Sequence, residues 1–253
     1  MIQRLMAWLY READSVVAIS EAVAQTLTDR GITTPDRIQV IGNPITVPVR
    51  DKESSTLYAS QLGIAAPYCC CIGRLAEAKG FDVLLDAFAR LPERDLNLVI
   101  LGEGPFRESL EEKTRRLGIA MRVHLPGFVP QPERVLAGAE LFVLSSRWEG
   151  FGNVLVEALA VGTPIVSTDC PGGPRAILQD GALGHLVPPE DPEVLVTAIM
   201  EALHTPRGTK ASRRTRAEDF AAPVIAAQYL TEAFGLKVEG GHKDSQYQRS
   251  SAL

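Results

Sequence analysis

The sequence predicts an α/β protein built on a doubly wound parallel sheet, and three observations lead there. Short apolar runs recur along the chain, and most are apolar at successive rather than alternate positions, which is how strands read when helices cover both faces of their sheet. Segments of helical spacing separate these runs, so strand and helix alternate. Between Tyr58 and Thr205 six strand candidates follow one another in a single alternation, enough for a complete doubly wound unit.

In chain order, the opening MIQRLMAWLYREADS mixes apolar residues with Arg4, Arg11, Glu12 and Asp14 and lacks a small-residue cleavage signal; it reads as an amphipathic helix, not a signal peptide. Strands are expected at 15–20 and 38–41, with a helix over 21–30 opened by Ser20. The stretch ITTPDRIQVIGNPITVP carries three prolines and looks like a crossing between two folded units, which places a boundary near Pro48. Six strands follow at 68–73, 96–102, 122–125, 141–145, 164–167 and 184–187, with helices at 81–91, 105–117, 132–137, 153–161, 174–178 and 191–203. Residues 1–48 are thus expected to be part of a first unit, 49–215 a complete doubly wound domain, and 216–237 a carboxyl-terminal helix with Phe220, Val224, Ala227, Leu230 and Phe234 at helical spacing. The polar tail 238–253 has little to bury and is expected to be disordered. Two strands and two helices cannot enclose a core of their own, so 1–48 must lean on something else.

Composition narrows the function. At 253 residues the chain amounts to about 1.7 domains of typical size, and 45% apolar with 23% charged residues excludes a fibrous or wholly disordered protein. The balance of 26 basic against 31 acidic residues, net −5, offers no clustered positive charge for nucleic acid. No apolar run approaches the roughly 18 residues of a membrane span. Cys69, Cys70 and Cys71 are consecutive in an apolar run, where neighbouring strand side chains point to opposite faces, so core thiols in a reducing, cytoplasmic setting are expected. His124, His185, His204 and His242 are scattered without ligand spacing, and no metal site is expected. Cys170 has no histidine near it in sequence and reads as a small packed residue.

Two segments could carry chemistry. In GRLAEAKG, 73–80, Arg74 leaves a strand end and Lys79 precedes a helix, so two cations and unpaired helix amides converge beyond the carboxyl end of the sheet, where an anion such as a diphosphate is neutralised without a metal. Taken alone, the pair reads more readily as two solvated charges beside a turn than as an anion site; it is neither a Walker loop nor a GxGxxG fingerprint. The second segment is SSRWEGFGNVLVEALAVGTPIVSTDCPGGPRAIL, 145–178, with Glu149 in a glycine-bearing loop and Glu157 in the second turn of the following helix. A carboxylate accepts two hydrogen bonds from a vicinal diol, so one could grip a ribose and the other a sugar ring. Glu157 could be an ordinary solvated residue, but Leu155, Val156, Leu159 and Val161 make its helix apolar on most sides, and a carboxylate there needs a partner or a ligand.

The set GRL…KG, GEGP, EGFGN-x3-E and TDCPGGP, in this order and spacing, resembles the carboxyl-terminal, donor-binding half of retaining GT-B glycosyltransferases of the family 4 type, the glycosyl transferases group 1. One departure is Ala176, where the expected string has Glu. The resemblance implies a Rossmann-like domain that binds a nucleotide-diphosphate sugar. Arg74 and Lys79 would hold the diphosphate and stabilise the charge that grows on it as the glycosidic bond breaks, Glu149 would take the donor sugar's hydroxyls, and Glu157 the ribose. The amides of Phe151, Gly152 and Asn153, with Val154, would line sugar and phosphate, while Gly73, Gly102, Gly104 and Val129 would lie beside the nucleotide. The implied reaction is retaining transfer of a hexose or N-acetylhexosamine, with a UDP-sugar as the donor, to a glycan or lipid-linked acceptor in cell-surface polysaccharide synthesis. No DxD handle is present, so neither metal nor other cofactor is expected. In such enzymes an amino-terminal domain supplies the acceptor site, which makes a partner chain an expectation, as are peripheral contact with the inner face of the membrane and an exposed apolar face around Met6, Trp8, Leu9 and Tyr10. The alternative reading is a nucleotide-sugar-binding module that is catalytically incomplete by itself.

Overall fold

The computed structural model describes residues 2–46, 52–93, 95–238 and 247–248. The chain divides into two units, 1–46 together with 218–253, and 47–217. It opens with helix α1 (Ile2–Arg11), strand β1 (Val16–Ala18), helix α2 (Glu21–Asp29) and strand β2 (Ile38–Val40). Ser20 is extended and its Oγ accepts the Val23 amide at 3.3 Å, so it caps α2 as its residue type suggests. β1 and β2 pair in parallel, Val16 opposite Ile38. Leu5, Trp8 and Leu9 of α1 are exposed.

The larger unit holds helix α3 (Lys52–Gln61), β3 (Tyr68–Ile72), α4 (Phe81–Arg90), β4 (Asn97–Leu101), α5 (Arg107–Arg116), β5 (Val123–Gly127), α6 (Pro132–Gly138) and β6 (Leu141–Leu144). It continues with α7 (Asn153–Val161), β7 (Ile165–Thr168), α8 (Pro174–Ile177), β8 (His185–Val187), α9 (Pro192–His204) and α10 (Lys210–Glu218). The six strands form one sheet in the order β5-β4-β3-β6-β7-β8, parallel throughout. Successive strands therefore run outward from β3 in one direction and, after β5, outward from β6 in the other. The order reverses between β3 and β6, which is the topological switch point of a doubly wound sheet. Tyr68, Cys69, Cys70 and Cys71 are all buried, as a strand covered on both faces demands. Desolvation pushes the Cys69 thiol up to about 12, and all four cysteines are free.

Helix α3 has no counterpart in the sequence reading. Only Ser55 and Ala59 of α3 are fully buried, so no apolar stripe announces it. What holds it is close approach: a Cβ at Gly138 of α6 would lie 3.2 Å from the Ser55 carbonyl carbon and 2.5 Å from the Tyr68 hydroxyl. Arg134 of α6 stacks 4.2 Å from the centre of the Tyr58 ring, and Lys52 pairs with Glu140 at 2.9 Å.

After α10 the chain forms α11 (Ala222–Gln228), one π-helical turn at Tyr229–Ala233, and a two-residue antiparallel ladder of β9 (Lys237–Val238) with β10 (Tyr247–Gln248). The stretch read as one helix over 216–237 therefore holds the end of α10, a break at Asp219–Ala221 and then α11 with its π turn. Proline at its first turn starts α11, and Ile225 is buried while Val224 and Phe234 are exposed, so the helix turns a different face inward from the one the spacing suggested. The Ile45 amide donates to the Phe220 carbonyl at 2.8 Å, tying the opening and closing segments into one unit. Of the tail 238–253, only Val238, Tyr247 and Gln248 are described; the expectation of disorder otherwise lies outside the described residues. Among the described residues no helix is long and apolar enough to cross a membrane.

Candidate functional site

The carboxyl ends of β3 and β6, at the switch point, bring the two sequence segments together. β3 ends at Ile72, and the chain runs through Gly73 and Arg74 to a 3₁₀ turn at Glu77–Lys79 before Gly80 starts α4. β6 ends at Leu144 and leads through Ser145, Ser146, Arg147 and Trp148 to Glu149. Lys79 and Glu149, 70 residues apart in sequence, form an ion pair with Nζ 2.6 Å from Oε1. The pair is largely buried, with side-chain exposures of 20% and 9%. Ser146 donates to the same Oε1 at 2.6 Å.

The backbone explains this precision. Gly80 is left-handed at φ +59, and a Cβ there would stand 2.1 Å from the Ser145 carbonyl oxygen, so only glycine lets the two loops touch. Ser145 Oγ donates to the Lys79 carbonyl at 2.9 Å, and the Arg147 amide donates to the Ala78 carbonyl at 2.8 Å. Arg147 also forks onto Asp82 at 2.8–2.9 Å and donates to the Glu77 carbonyl at 2.7 Å, clamping the turn that carries Lys79. Thr168 at the end of β7 donates to the Ser146 carbonyl at 2.6 Å. The stem of Lys79 lies over Gly73, whose Cβ would meet its Cε, Cδ and Cγ at 3.1–3.4 Å.

Beside this centre, β4 and β5 close one wall. The Gly73 amide donates to the Leu101 carbonyl, Leu75 to Glu103 and Gly102 to Gly127, each at 2.9 Å. Cβ atoms at Gly102 and Gly104 would come within 2.1 and 2.3 Å of the Gly73 and Leu75 oxygens. Val129 is buried near the end of β5. On the other side, the Glu149 amide donates to the Pro171 carbonyl at 2.9 Å, and a Cβ at Gly173 would stand 2.0 Å from the Phe151 oxygen. The TDCPGGP segment thus buttresses the EGFGN loop backbone to backbone.

Gly152, at φ +100, caps α7, with Asn153 exposed at the first turn and Val154 partly exposed beside it. Phe151 is buried under the loop. Glu157 follows one turn on, between buried Val156 and Ala158. Burial raises its carboxyl above the ordinary range, and Glu133 adds to the rise; no hydrogen bond or ion pair to its carboxylate occurs among the described residues. The far end of α7 is fixed by buried Arg213 of α10, whose guanidinium donates to the Gly162 carbonyl at 3.1–3.2 Å, placing a cation at the negative end of the helix.

Of the residues singled out in sequence, Lys79 and Glu149 meet directly, while Gly73, Gly102 and Gly104 are the close approaches that shape the strand exits. Arg74 is exposed, with no ion pair among the described residues. Glu149, which the resemblance assigns to the donor sugar's hydroxyls, already has two donors, Lys79 Nζ and Ser146 Oγ. Sequence reading passed over Ser146, Arg147 and Asp82. A serine beside an apolar strand has no distinctive pattern, and the Arg147–Asp82 fork spans 65 residues; only Gly80, following Lys79, marked the contact.

A family model described as glycosyl transferases group 1 matches residues 60–220. The N-acetylgalactosamine-N,N'-diacetylbacillosaminyl-diphospho-undecaprenol 4-alpha-N-acetylgalactosaminyltransferase of Campylobacter jejuni is 30% identical over 235 residues, 91% of this chain and 63% of that protein. The lipopolysaccharide core biosynthesis glycosyltransferase LpsE of Rhizobium meliloti is 32% identical over 227 residues, 88% of this chain and 62% of its own length. The chain therefore spans somewhat less than two thirds of these relatives. Among solved structures, Alr3699/HepE of Anabaena in complex with UDP and glucose superimposes with a TM-score of 0.82 at 26% identity, over 92% of this chain and 67% of that one. The sheet order, the four motifs at the strand exits and the match over residues 60–220 agree: the chain belongs to the glycosyl transferases group 1, with a GT-B fold.

Proposed function

We propose that this chain binds a nucleotide-diphosphate sugar, with a UDP-sugar as donor, and takes part in the retaining, metal-independent transfer of a hexose or N-acetylhexosamine to a glycan or lipid-linked acceptor in cell-surface polysaccharide synthesis. The observation that carries the reading is the meeting of Lys79 and Glu149, beside Arg74 and the amino end of α7, at the switch point of the sheet, where doubly wound folds bind nucleotides. A diphosphate there faces two cations and the positive end of α7. As the bond to the sugar breaks, charge grows on the departing phosphate oxygens, and fixed cations stabilise that state more than the ground state. Glu157, desolvated and without a partner among the described residues, suits the two hydroxyls of a ribose, and Glu149 suits those of the sugar. The named relatives act in lipopolysaccharide core biosynthesis and on an undecaprenol-linked acceptor, which supports a lipid-linked acceptor, and the proposal puts the chain in the cytoplasm, at the inner membrane face. The acceptor would be bound by a second, amino-terminal-type domain or partner chain.

Calorimetry with UDP and UDP-glucose, without added metal and again with EDTA, tests the donor half of this reading: binding in both conditions is expected, and its absence would overturn it. Transfer to a lipid-linked acceptor, followed by NMR of the new anomeric proton, tests retention.

A further inference from the structure

Lys79 is proposed above as a diphosphate ligand, yet its ammonium is already committed. Nζ sits 2.6 Å from Glu149 Oε1, its stem is laid over Gly73, and the carboxylate it neutralises is 9% exposed. A lysine paired in this way presents a nearly cancelled charge to an incoming anion. For Lys79 to turn to a diphosphate, Glu149 must give up one of two donors and keep only Ser146 Oγ, and a buried carboxylate that loses a donor is costly.

We infer, building on the nucleotide-sugar reading, that the Lys79–Glu149 pair is a latch that discriminates the nucleotide sugar from the free nucleotide diphosphate. A bare nucleotide diphosphate draws on Lys79 and leaves Glu149 short of a donor. A nucleotide sugar supplies hydroxyl donors to Glu149 at the moment Lys79 is drawn to the phosphates, so the lost contact is replaced. The same two residues thereby favour donor over spent product, and once the sugar departs Glu149 takes Lys79 back, which loosens the hold on the diphosphate. Ser146 sets the strength of the latch, because its hydroxyl is the donor Glu149 keeps when Lys79 leaves.

The latch predicts changes of opposite sign. In E149Q the carboxylate no longer competes for Lys79, so UDP should bind about 5- to 10-fold more tightly than to the wild type, and the preference for UDP-glucose over UDP should shrink. In S146A the carboxylate depends more on Lys79, so UDP should bind about 2- to 5-fold more weakly while UDP-glucose changes less. Both are read by calorimetry with UDP and UDP-glucose, with melting of the unliganded proteins to confirm folding; if E149Q does not fold, the S146A pair of affinities decides alone. UDP affinity unchanged or weaker in a folded E149Q, or unchanged in S146A, would overturn the latch. Absence of UDP binding to the wild type would overturn the nucleotide reading instead.

Discussion

The loop that leaves β6 and the helix that follows it each carry one shielded carboxylate, and the two are kept in opposite ways. Glu149, in the loop, is 9% exposed and has an ammonium and a hydroxyl at 2.6 Å. Glu157, on α7, has apolar neighbours, a raised titration and Glu133 as a like charge nearby. The first carboxylate is compensated inside the protein before any ligand arrives, so it stabilises the loops that carry it. The second is uncompensated, so it is carried at a cost that only a ligand with hydroxyl donors can offset. Their separation of eight positions puts both near the amino end of one helix, yet their consequences for stability should have opposite signs.

The strongest test of that contrast removes the compensation. Lys79→Met keeps an apolar stem over Gly73 but strands Glu149 with Ser146 as its remaining donor, and breaking a buried pair on one side costs about 3 kcal/mol. Urea denaturation should show a lower midpoint with an unchanged slope. Adding Glu149→Gln to the same protein should recover at least about 1 kcal/mol, because no buried charge is then left alone. A Lys79→Met protein as stable as the wild type would mean that Glu149 is not held by this pair.

How much of this could be read from the chain depends on the range of the interaction. The six strands and their alternation with helices were legible because double-sided burial leaves unbroken apolar runs such as Tyr68–Ile72, and α7 (Asn153–Val161) appears at the residues expected after the glycine-bearing loop. The cations and carboxylates were legible as chemistry through the motifs at the strand exits. Their pairing was not: Lys79 meets Glu149 only because Gly80 allows contact with the Ser145 carbonyl, and that fact belongs to the sheet order, not to either segment. Helix α3 escaped for a related reason, since it packs through Ser55, Ala59 and Gly138, small residues that leave no apolar stripe.

The second test acts on the uncompensated carboxylate and should move stability the other way. Glu157→Gln removes a desolvated charge while keeping shape, and relief of this kind contributes about 1 kcal/mol at neutral pH. The sign follows from its titration. Folded, the carboxyl binds a proton at higher pH than the ordinary 4.5 of the unfolded chain, so between those two values the folded state holds more protons and stability falls as pH rises. Below 4.5 the wild type and Glu157→Gln should melt alike, and above the raised value the variant should melt higher. UDP affinity should nevertheless drop, by about 1 to 3 kcal/mol for the lost charge-assisted contacts. A variant that melts lower at neutral pH would show that Glu157 is compensated after all.

The smallest effect on folding belongs to Arg74, which is neither buried nor paired among the described residues and so stands outside both carboxylate regimes. A charge with no internal partner has nothing to lose on removal, and Arg74→Gln should change stability by no more than about 0.5 kcal/mol. Its whole effect should appear when an anion is present. UDP affinity should fall by about 1 to 3 kcal/mol, the range for a charge-assisted contact, and should depend less steeply on salt than in the wild type, because an exposed charge is the one that salt screens. Lys79, enclosed with Glu149, should contribute a part of the binding that salt leaves almost untouched. If Arg74→Gln instead lowered the melting point as much as Lys79→Met, the distinction between a cation that also holds the fold and one that serves the ligand alone would fail.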